Sequence, residues 1–368
     1  MSKIGETTLE INLSSLTHNF NFLKSKLDSK TKFLAVLKAF AYGSDMIAIA
    51  EKLESLQVDY FAVAYVKEGV ILRDAGIKSP ILVLHPQSVN FKELIDRNLE
   101  PSLYSNRVLN DFLSIAKAKK QSNYPIHLKF NTGLNRLGFK ENDLTPIIKK
   151  IEGEIAIKVA SVFSHLAASE DKNEEKFSIQ QIKKFEQISL EITEKLGYTP
   201  IRHILNTSGI LNYPKAQFDM VRSGIGLYGY GNSIEIDKQL KPVASLISVI
   251  SQIHKIDPDE SVGYNRAFKS NGARVCATLP IGHADGISRQ YGNGKTYVLV
   301  NGKKAPIIGN VCMDMIMIDI TGIACEEGDK VVLFGEEVSA ESFANTAQTI
   351  SYELLTAISQ RVKRNIKN

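Results

Sequence analysis

Eight short runs of apolar, β-branched or aromatic residues recur through the first two-thirds of the chain. They fall at residues 33–38, 60–65, 81–85, 101–104, 126–131, 159–165, 203–206 and 220–222, with helix-patterned stretches between most of them. In one such stretch, 179–196, Ile179, Ile182, Phe185, Ile188 and Ile192 follow a helical stripe. A helical crossover returns the chain to the end from which it set out, so neighbouring strands run parallel. Eight strands joined this way predict a (β/α)₈ barrel of the TIM type. An open doubly wound sheet is the structural rival, but no Gly-x-Gly-x-x-Gly turn follows the first run.

From about Lys241 the pattern changes. Residues 245–256, 273–281, 295–300, 305–308, 313–320 and 330–334 read as strands, and Asn301-Gly302 between two of them is a hairpin signal. A helix over 340–361 is expected to close the chain. The division predicted is a barrel over 1–240 and a mostly β domain over 241–368, with Lys241-Pro242 at the junction. About ten residues at the start are free to pack with the second domain.

At 368 residues, 43% hydrophobic and 23% charged, the chain has the composition of a soluble globular protein too long for one small domain. Its formal charge of +5 is dispersed. The densest basic stretches, 117–120 and 361–367, read as a solvated helix face and a frayed tail. No basic stripe with interleaved aromatics points to nucleic acid. Cys276, Cys312 and Cys325 are too few and too scattered for a disulfide framework or a zinc site, and they suit a reducing compartment. The opening Met1-Ser2-Lys3-Ile4-Gly5-Glu6 lacks the apolar segment of a signal peptide, and no run suits a membrane span. A cytoplasmic location without membrane partners is expected. The histidines show no metal-ligand spacing, so no metal is expected.

In such a barrel, side chains at the C-terminal ends of the strands face one mouth. Lys38 ends the first run, Lys129 lies on the fifth and Arg136 in the loop after it. His165 ends the sixth, Asn206 and Thr207 the seventh, and Arg222 the eighth. Taken singly, each has an ordinary explanation: a snorkelling lysine, a hydrogen-bonded core histidine, a barrel-closing ion pair. Their convergence carries the functional reading. Ser223-Gly224-Ile225-Gly226, directly after Arg222, suits phosphate binding by backbone N–H groups. A phosphorylated ligand with a reactive aldehyde would suit Lys38 as its imine partner. Gly294-Lys295-Thr296 is a decoy for a phosphate loop, because Arg289 stands where the leading glycine is needed.

Several blocks in order give the chain a resemblance to a known family. They are Leu37-Lys38-Ala39-Phe40-Ala41-Tyr42-Gly43, His127-Leu128-Lys129 with Arg136-Leu137-Gly138, and Arg222-Ser223-Gly224-Ile225 with Tyr228-Gly229. Val262-Gly263-Tyr264, Gly282-His283-Ala284-Asp285-Gly286 and Val311-Cys312-Met313-Asp314 complete the set. Over nearly its whole length the chain resembles the alanine racemases, bacterial enzymes that use pyridoxal phosphate.

The resemblance implies that Lys38 binds the cofactor as a Schiff base and exchanges the substrate α-proton on one face. Tyr264, from the β domain of a partner subunit in a homodimer, would exchange it on the other. Tyr42, Thr207, Tyr352 and the amides of Gly224 and Ile225 would hold the phosphate, with His165 and Asn206 also among the cofactor-binding residues. Arg222 would face the pyridine nitrogen. Arg136 would contact the cofactor's phenolic oxygen and the substrate carboxylate, positioned by a carbamylated Lys129. Met313, supported by Asp314, would bind substrate through its backbone, and His283 would line the entrance. The implied product is D-alanine for peptidoglycan. Phe40, Ser44, His283, Ile287 and Lys363 depart from the family pattern.

The chemistry agrees with those roles. Racemisation needs a base on one face of Cα and an acid on the other. Free lysine (about 10.4) and tyrosine (about 10) are poor bases at neutral pH, so burial and cationic neighbours must lower both. An always-charged guanidinium facing the ring nitrogen keeps it unprotonated, which weakens the electron sink and disfavours transamination. The rival readings are a serine or broad-specificity racemase, a decarboxylase or D-threonine aldolase on the same barrel, and a cofactor carrier without catalysis.

Overall fold

The structure, a computed structural model, describes residues 5–368. Residues 1–4, the start of the stretch read for a signal peptide, lie outside the described residues. Strand β1 (Thr8–Asn12) precedes eight parallel strands: β2 (Lys32–Val36), β3 (Tyr60–Val63), β4 (Ile81–Val83), β5 (Glu100–Leu103), β6 (Tyr124–Lys129), β7 (Ile157–Phe163), β8 (Ile201–His203) and β9 (Met220–Ser223). Their order is β8-β7-β6-β5-β4-β3-β2-β9. The ring closes between β8 and β9, where Asp219 N–H donates to Arg202 O (3.1 Å) and Arg222 N–H to Leu205 O (3.0 Å). Helices cover the outside, so strands such as β2 are buried on both faces and read as continuous apolar runs.

The eight predicted runs all form these strands, but most of those strands stop about two residues earlier than expected. β2 ends at Val36 rather than Lys38, and β7 at Phe163 rather than His165. Lys38 and His165 therefore stand just beyond the sheet, whereas Lys129 and Arg222 remain on β6 and β9. The helix Glu175–Leu196 buries Gln181, Phe185, Ile188 and Ile192, while Ile179 of the predicted stripe is 38% exposed.

The second unit is built on a nine-stranded sheet and a small two-stranded one formed by its third and fourth strands. After β9 come β10 (Ala244–Val249), β11 (Gln252–Ile256), β12 (Ser261–Val262), β13 (Phe268–Lys269), β14 (Arg274–Leu279), β15 (Tyr297–Val300), β16 (Lys303–Ile308), β17 (Ile316–Asp319), β18 (Lys330–Phe334) and β19 (Lys363–Lys367). Nine strands are ordered β11-β14-β17-β16-β15-β18-β10-β1-β19, so the chain's opening strand belongs to this sheet. Asn301 (φ 51°) and Gly302 (φ 74°) form the two-residue turn joining β15 and β16, both in the left-handed region that such a hairpin requires. Two expectations are corrected. The closing helix is two short ones, Ala340–Asn345 and Ser351–Ala357. The basic stretch read as a frayed tail is β19, paired in parallel with β1 along Thr8↔Lys363 to Asn12↔Lys367. Among the described residues no helix is long and apolar enough to cross a membrane.

Candidate active site

Lys38 opens an unusual turn. Ala39, Phe40, Ala41 and Tyr42 have φ of 55°, 54°, 54° and 56°, and Gly43 follows at 79°. For non-glycine residues this left-handed geometry costs roughly 1–2 kcal/mol each, so the turn must be secured from outside. Glu68 accepts the Ala39 N–H at 2.6 Å, and Arg364 Nη2 donates to Gly43 O at 2.8 Å. Gly43 lies so close to the second unit that a Cβ there would sit 2.0 Å from Leu355 O.

The turn presents Lys38 and Tyr42 to a cavity of about 680 Å³ at the C-terminal mouth of the barrel. Lys129, Arg136, His165, Asn206, Thr207, Arg222, Gly224, Ile225 and Tyr352 also line it. Every cofactor-binding residue expected from the sequence is therefore in one place. Four of the lining side chains are cationic (Lys38, Lys129, Arg136 and Arg222) and none is a carboxylate. Such a cavity selects an anionic ligand. A second cavity of about 600 Å³ shares Arg136, His165, Asn206 and Tyr352 with it, and is edged by Glu170, Asp237 and Glu341.

Burial and mutual repulsion shape the titration of these groups. Burial, then the Arg136 charge, lowers the Lys38 amine, and Glu68 opposes that shift. Burial first, then Arg136, Arg222 and Lys38, pushes Lys129 down to about 8. His165 is held neutral, well below its ordinary value, by burial and then by Arg222. Arg222 is only 4% exposed and has no carboxylate directly against it, contrary to the ion pair considered from the sequence. It donates to His203 Nδ1 (2.6 Å), His165 Nδ1 (3.1 Å), Ser164 O (2.7 Å) and Ile204 O (3.1 Å). Phe163 lies beneath two cations, 5.4 Å from Arg222 and 5.8 Å from Lys129.

Comparison with known proteins decides the kinship. Residues 11–232 match the family described as alanine racemase, N-terminal domain, and residues 243–366 the one described as alanine racemase, C-terminal domain. The chain belongs to the alanine racemase family. The alanine racemase of Thermodesulfovibrio yellowstonii is 38% identical over 363 residues, 96% of each chain. That of Halothermothrix orenii is 37% identical over 370 residues, covering 98% of this chain and 97% of its own. The solved alanine racemase of Clostridium difficile 630 superposes with a TM-score of 0.93 at 34% identity, covering 100% of this chain and 97% of that one.

Alanine racemases depend on pyridoxal phosphate, and the cavity suits that group. Tyr42 is only 7% exposed and lines the cavity. Gly224 approaches it so closely that a Cβ would lie 2.1 Å from Tyr42 Oη. Thr207 and Tyr352 add hydroxyls beside the glycine turn, and Gly226 N–H donates to Thr207 Oγ1 at 3.3 Å. A phosphate would find hydroxyl and backbone donors there, with the cations beyond it. Asn206 supports this rim by accepting the Gly209 N–H (2.9 Å) and the Ser169 hydroxyl (2.7 Å).

Tyr264, His283, Met313 and Asp314 do not line the cavity within one alanine racemase chain. Tyr264 stands 71% exposed in the turn between β12 and β13, and Met313 is 59% exposed. Backbone bonds from His283 to Cys312 (2.9 Å) and Ala284 to Met313 (3.0 Å) tie the two loops together, and Asn310 Nδ2 donates to Tyr264 O at 3.1 Å. Asp314 pairs with Arg361 at 2.6 Å, which also holds Asp285. Sequence reading missed Tyr65, His85, Phe163 and Ser208 in the cavity wall, and Glu68 behind the lysine. No local signal marks them; only strand order brings them to the mouth.

Proposed function

We propose that this family member interconverts L- and D-alanine by two-base proton exchange and supplies D-alanine for peptidoglycan in the cytoplasm. The observation that carries the reading is the cavity shared by Lys38 and Arg222, ringed by cations and phosphate donors. When bound, pyridoxal phosphate supplies the electron sink that acidifies the substrate Cα–H. Tyr42, Thr207, Tyr352 and the amides of Gly224 and Ile225 would hold its phosphate, with Asn206 and His165 completing the wall. Arg222 would face the ring nitrogen, and its lasting charge disfavours protonation there.

Lys38 Nζ moves the proton on one face of Cα. Its lowered proton affinity suits a base that must be neutral in part of its cycle. Arg136 orients the substrate carboxylate. Lys129, pushed down to about 8, keeps a larger unprotonated fraction near neutral pH than a free lysine, and carbamylation consumes that form. As a carbamate it would offset the surrounding cations and steer Arg136. Tyr264 of a second copy moves the proton on the opposite face, with Met313 N–H, Asp314 and His283 beside it. The exposure of Tyr264 and Met313 on adjoining loops favours a covered surface over a free one. We therefore infer a homodimer with shared sites.

Mixing inactive Lys38→Ala and Tyr264→Ala proteins tests this. Hybrid dimers should recover racemisation, since one of their two sites keeps both bases. Absence of recovery despite verified subunit exchange rejects the shared site.

A further inference from the structure

Behind the cavity, a file of polar side chains runs through the barrel interior across five neighbouring strands. Arg222 Nη1 on β9 lies 2.6 Å from His203 Nδ1 on β8, and His203 Nε2 lies 2.9 Å from Ser161 Oγ on β7. Ser161 Oγ is 2.6 Å from His127 Nδ1 on β6, whose Nε2 is 2.7 Å from Glu100 Oε2 on β5. His203, Ser161 and His127 are 0% exposed, and Glu100 is 9% exposed.

The two ends orient every proton between them. A guanidinium only donates and an ionised carboxylate only accepts. His203 Nδ1 must therefore accept from Arg222, which leaves its Nε2–H to donate to Ser161. The Ser161 hydroxyl then donates to His127 Nδ1, and His127 Nε2–H donates to Glu100. Both imidazoles are neutral in this order, and no link has a missing or surplus proton. All the bond dipoles point the same way, from the cation toward the anion. In a buried interior such aligned bonds reinforce one another.

We propose that Glu100 is the remote counter-charge of Arg222, coupled to it through His203, Ser161 and His127, and that this file keeps the guanidinium charged and aimed at the cavity. The proposal rests on the reading of Arg222 as the residue facing the cofactor ring. It accounts for a cation buried away from any adjacent carboxylate, in a cavity that already holds three other cations. An unpaired buried charge is costly, so a counter-charge carried across the barrel has a physical purpose. Glu100 is anchored at its own end by the Tyr60 hydroxyl, with Arg73 and Tyr124 nearby. Arg222 is faced from its cavity side by His165 and Lys129. The five residues act as positioning groups, apart from Arg222 itself.

The test uses the holoenzyme. Glu100→Gln keeps an acceptor oxygen and removes the charge; Ser161→Ala cuts the file; Ser161→Thr preserves the hydroxyl; Arg222→Lys serves as reference. Each is read by the pH midpoint of the cofactor's visible absorption, by kcat and KM for alanine, and by thermal midpoint. Glu100→Gln and Ser161→Ala should shift the spectral midpoint in the direction that Arg222→Lys does. Each should lower kcat roughly ten-fold, the low end for outer partners of a site, with KM nearly unchanged. Their combination should be no worse than the stronger single change, and Ser161→Thr should behave as wild type. A shift in Arg222→Lys without one in Glu100→Gln, or effects that add in the double variant, overturns the coupling. An unmoved spectrum in Arg222→Lys overturns the placement of Arg222 against the ring, and the proposal with it.

Discussion

The Glu68 carboxylate accepts the Ala39 N–H at 2.6 Å with one oxygen, while its other oxygen accepts the Ala64 N–H at 2.7 Å. One side chain thus binds the left-handed turn of Lys38 to the loop after β3. Glu68→Ala should cost about 1.5–3 kcal/mol, the range for hydrogen bonds to a charged group, measurable by chemical denaturation. Glu68→Gln leaves one acceptor oxygen for the two N–H groups, so it should loosen the turn and weaken cofactor retention; it should also lower the Lys38 amine further, since Glu68 opposes that lowering. Unchanged stability and retention in both variants would show that the turn holds itself.

Gly224 is placed so that a methyl group would meet Tyr42 Oη at 2.1 Å. Gly224→Ala should therefore displace that hydroxyl or the turn and remove a phosphate contact. Cofactor affinity should fall on the order of ten- to a hundred-fold, equivalent to one hydrogen bond to a charged group. Absorbance titration of the cofactor-free protein measures it, and an affinity within two-fold of wild type would reject the phosphate cradle.

Lys129 gives a pH dependence with a definite sign. Its amine is pushed down to about 8 by burial and by Arg136, Arg222 and Lys38. Only the unprotonated amine reacts with carbon dioxide, and that fraction falls roughly ten-fold per pH unit below its pKa. Carbamylation should thus increase from acid pH up to about 8 and level off above. Enzyme stripped of carbon dioxide at low pH should lose activity and regain it with bicarbonate at pH above 8. Labelled bicarbonate should give a carbamate carbon signal that Lys129→Arg lacks; full activity without that signal would refute the modification.

If Tyr264 is the second of the two proposed bases, Tyr264→Phe should remove it and leave Lys38 intact. Solvent hydrogen exchange starting from L-alanine should suffer more than exchange starting from D-alanine, since each enantiomer presents its α-hydrogen to a different base. Mild and equal effects on both would remove Tyr264 from the proton path.

The barrel was readable because strands buried on both faces advertise themselves as apolar runs. Their ends were not. Predicted strands ran on through Lys38 and His165 because the residues following the sheet are also apolar or small, whereas the left-handed φ values from Ala39 to Tyr42 have no compositional mark. β19 escaped for the opposite reason. Lys363-Arg364-Asn365-Ile366-Lys367 reads as a solvated tail, and only pairing with β1 at the far end of the chain makes it a strand. Ile179 sat on the predicted stripe, yet the helix rotates Gln181 inward to bond Thr132 Oγ1 and His165 O.

By itself the sequence determined the alternating architecture, the β-rich second part, and the placing of Lys38, Lys129, Arg136 and Arg222 at or just beyond strand ends that face one mouth. Those properties are local, because they depend on residue type, periodicity and order along the chain. Only the tertiary structure decided that Glu68 secures the lysine turn, that no carboxylate lines the cavity, and that Arg222 connects through two histidines and a serine to Glu100. These relationships join residues from 27 to 42 positions apart between successive file members on β5–β8, brought into contact by parallel strand pairing. Hydrogen bonds and charges act over a few ångströms of space, and separation along the chain carries no record of them.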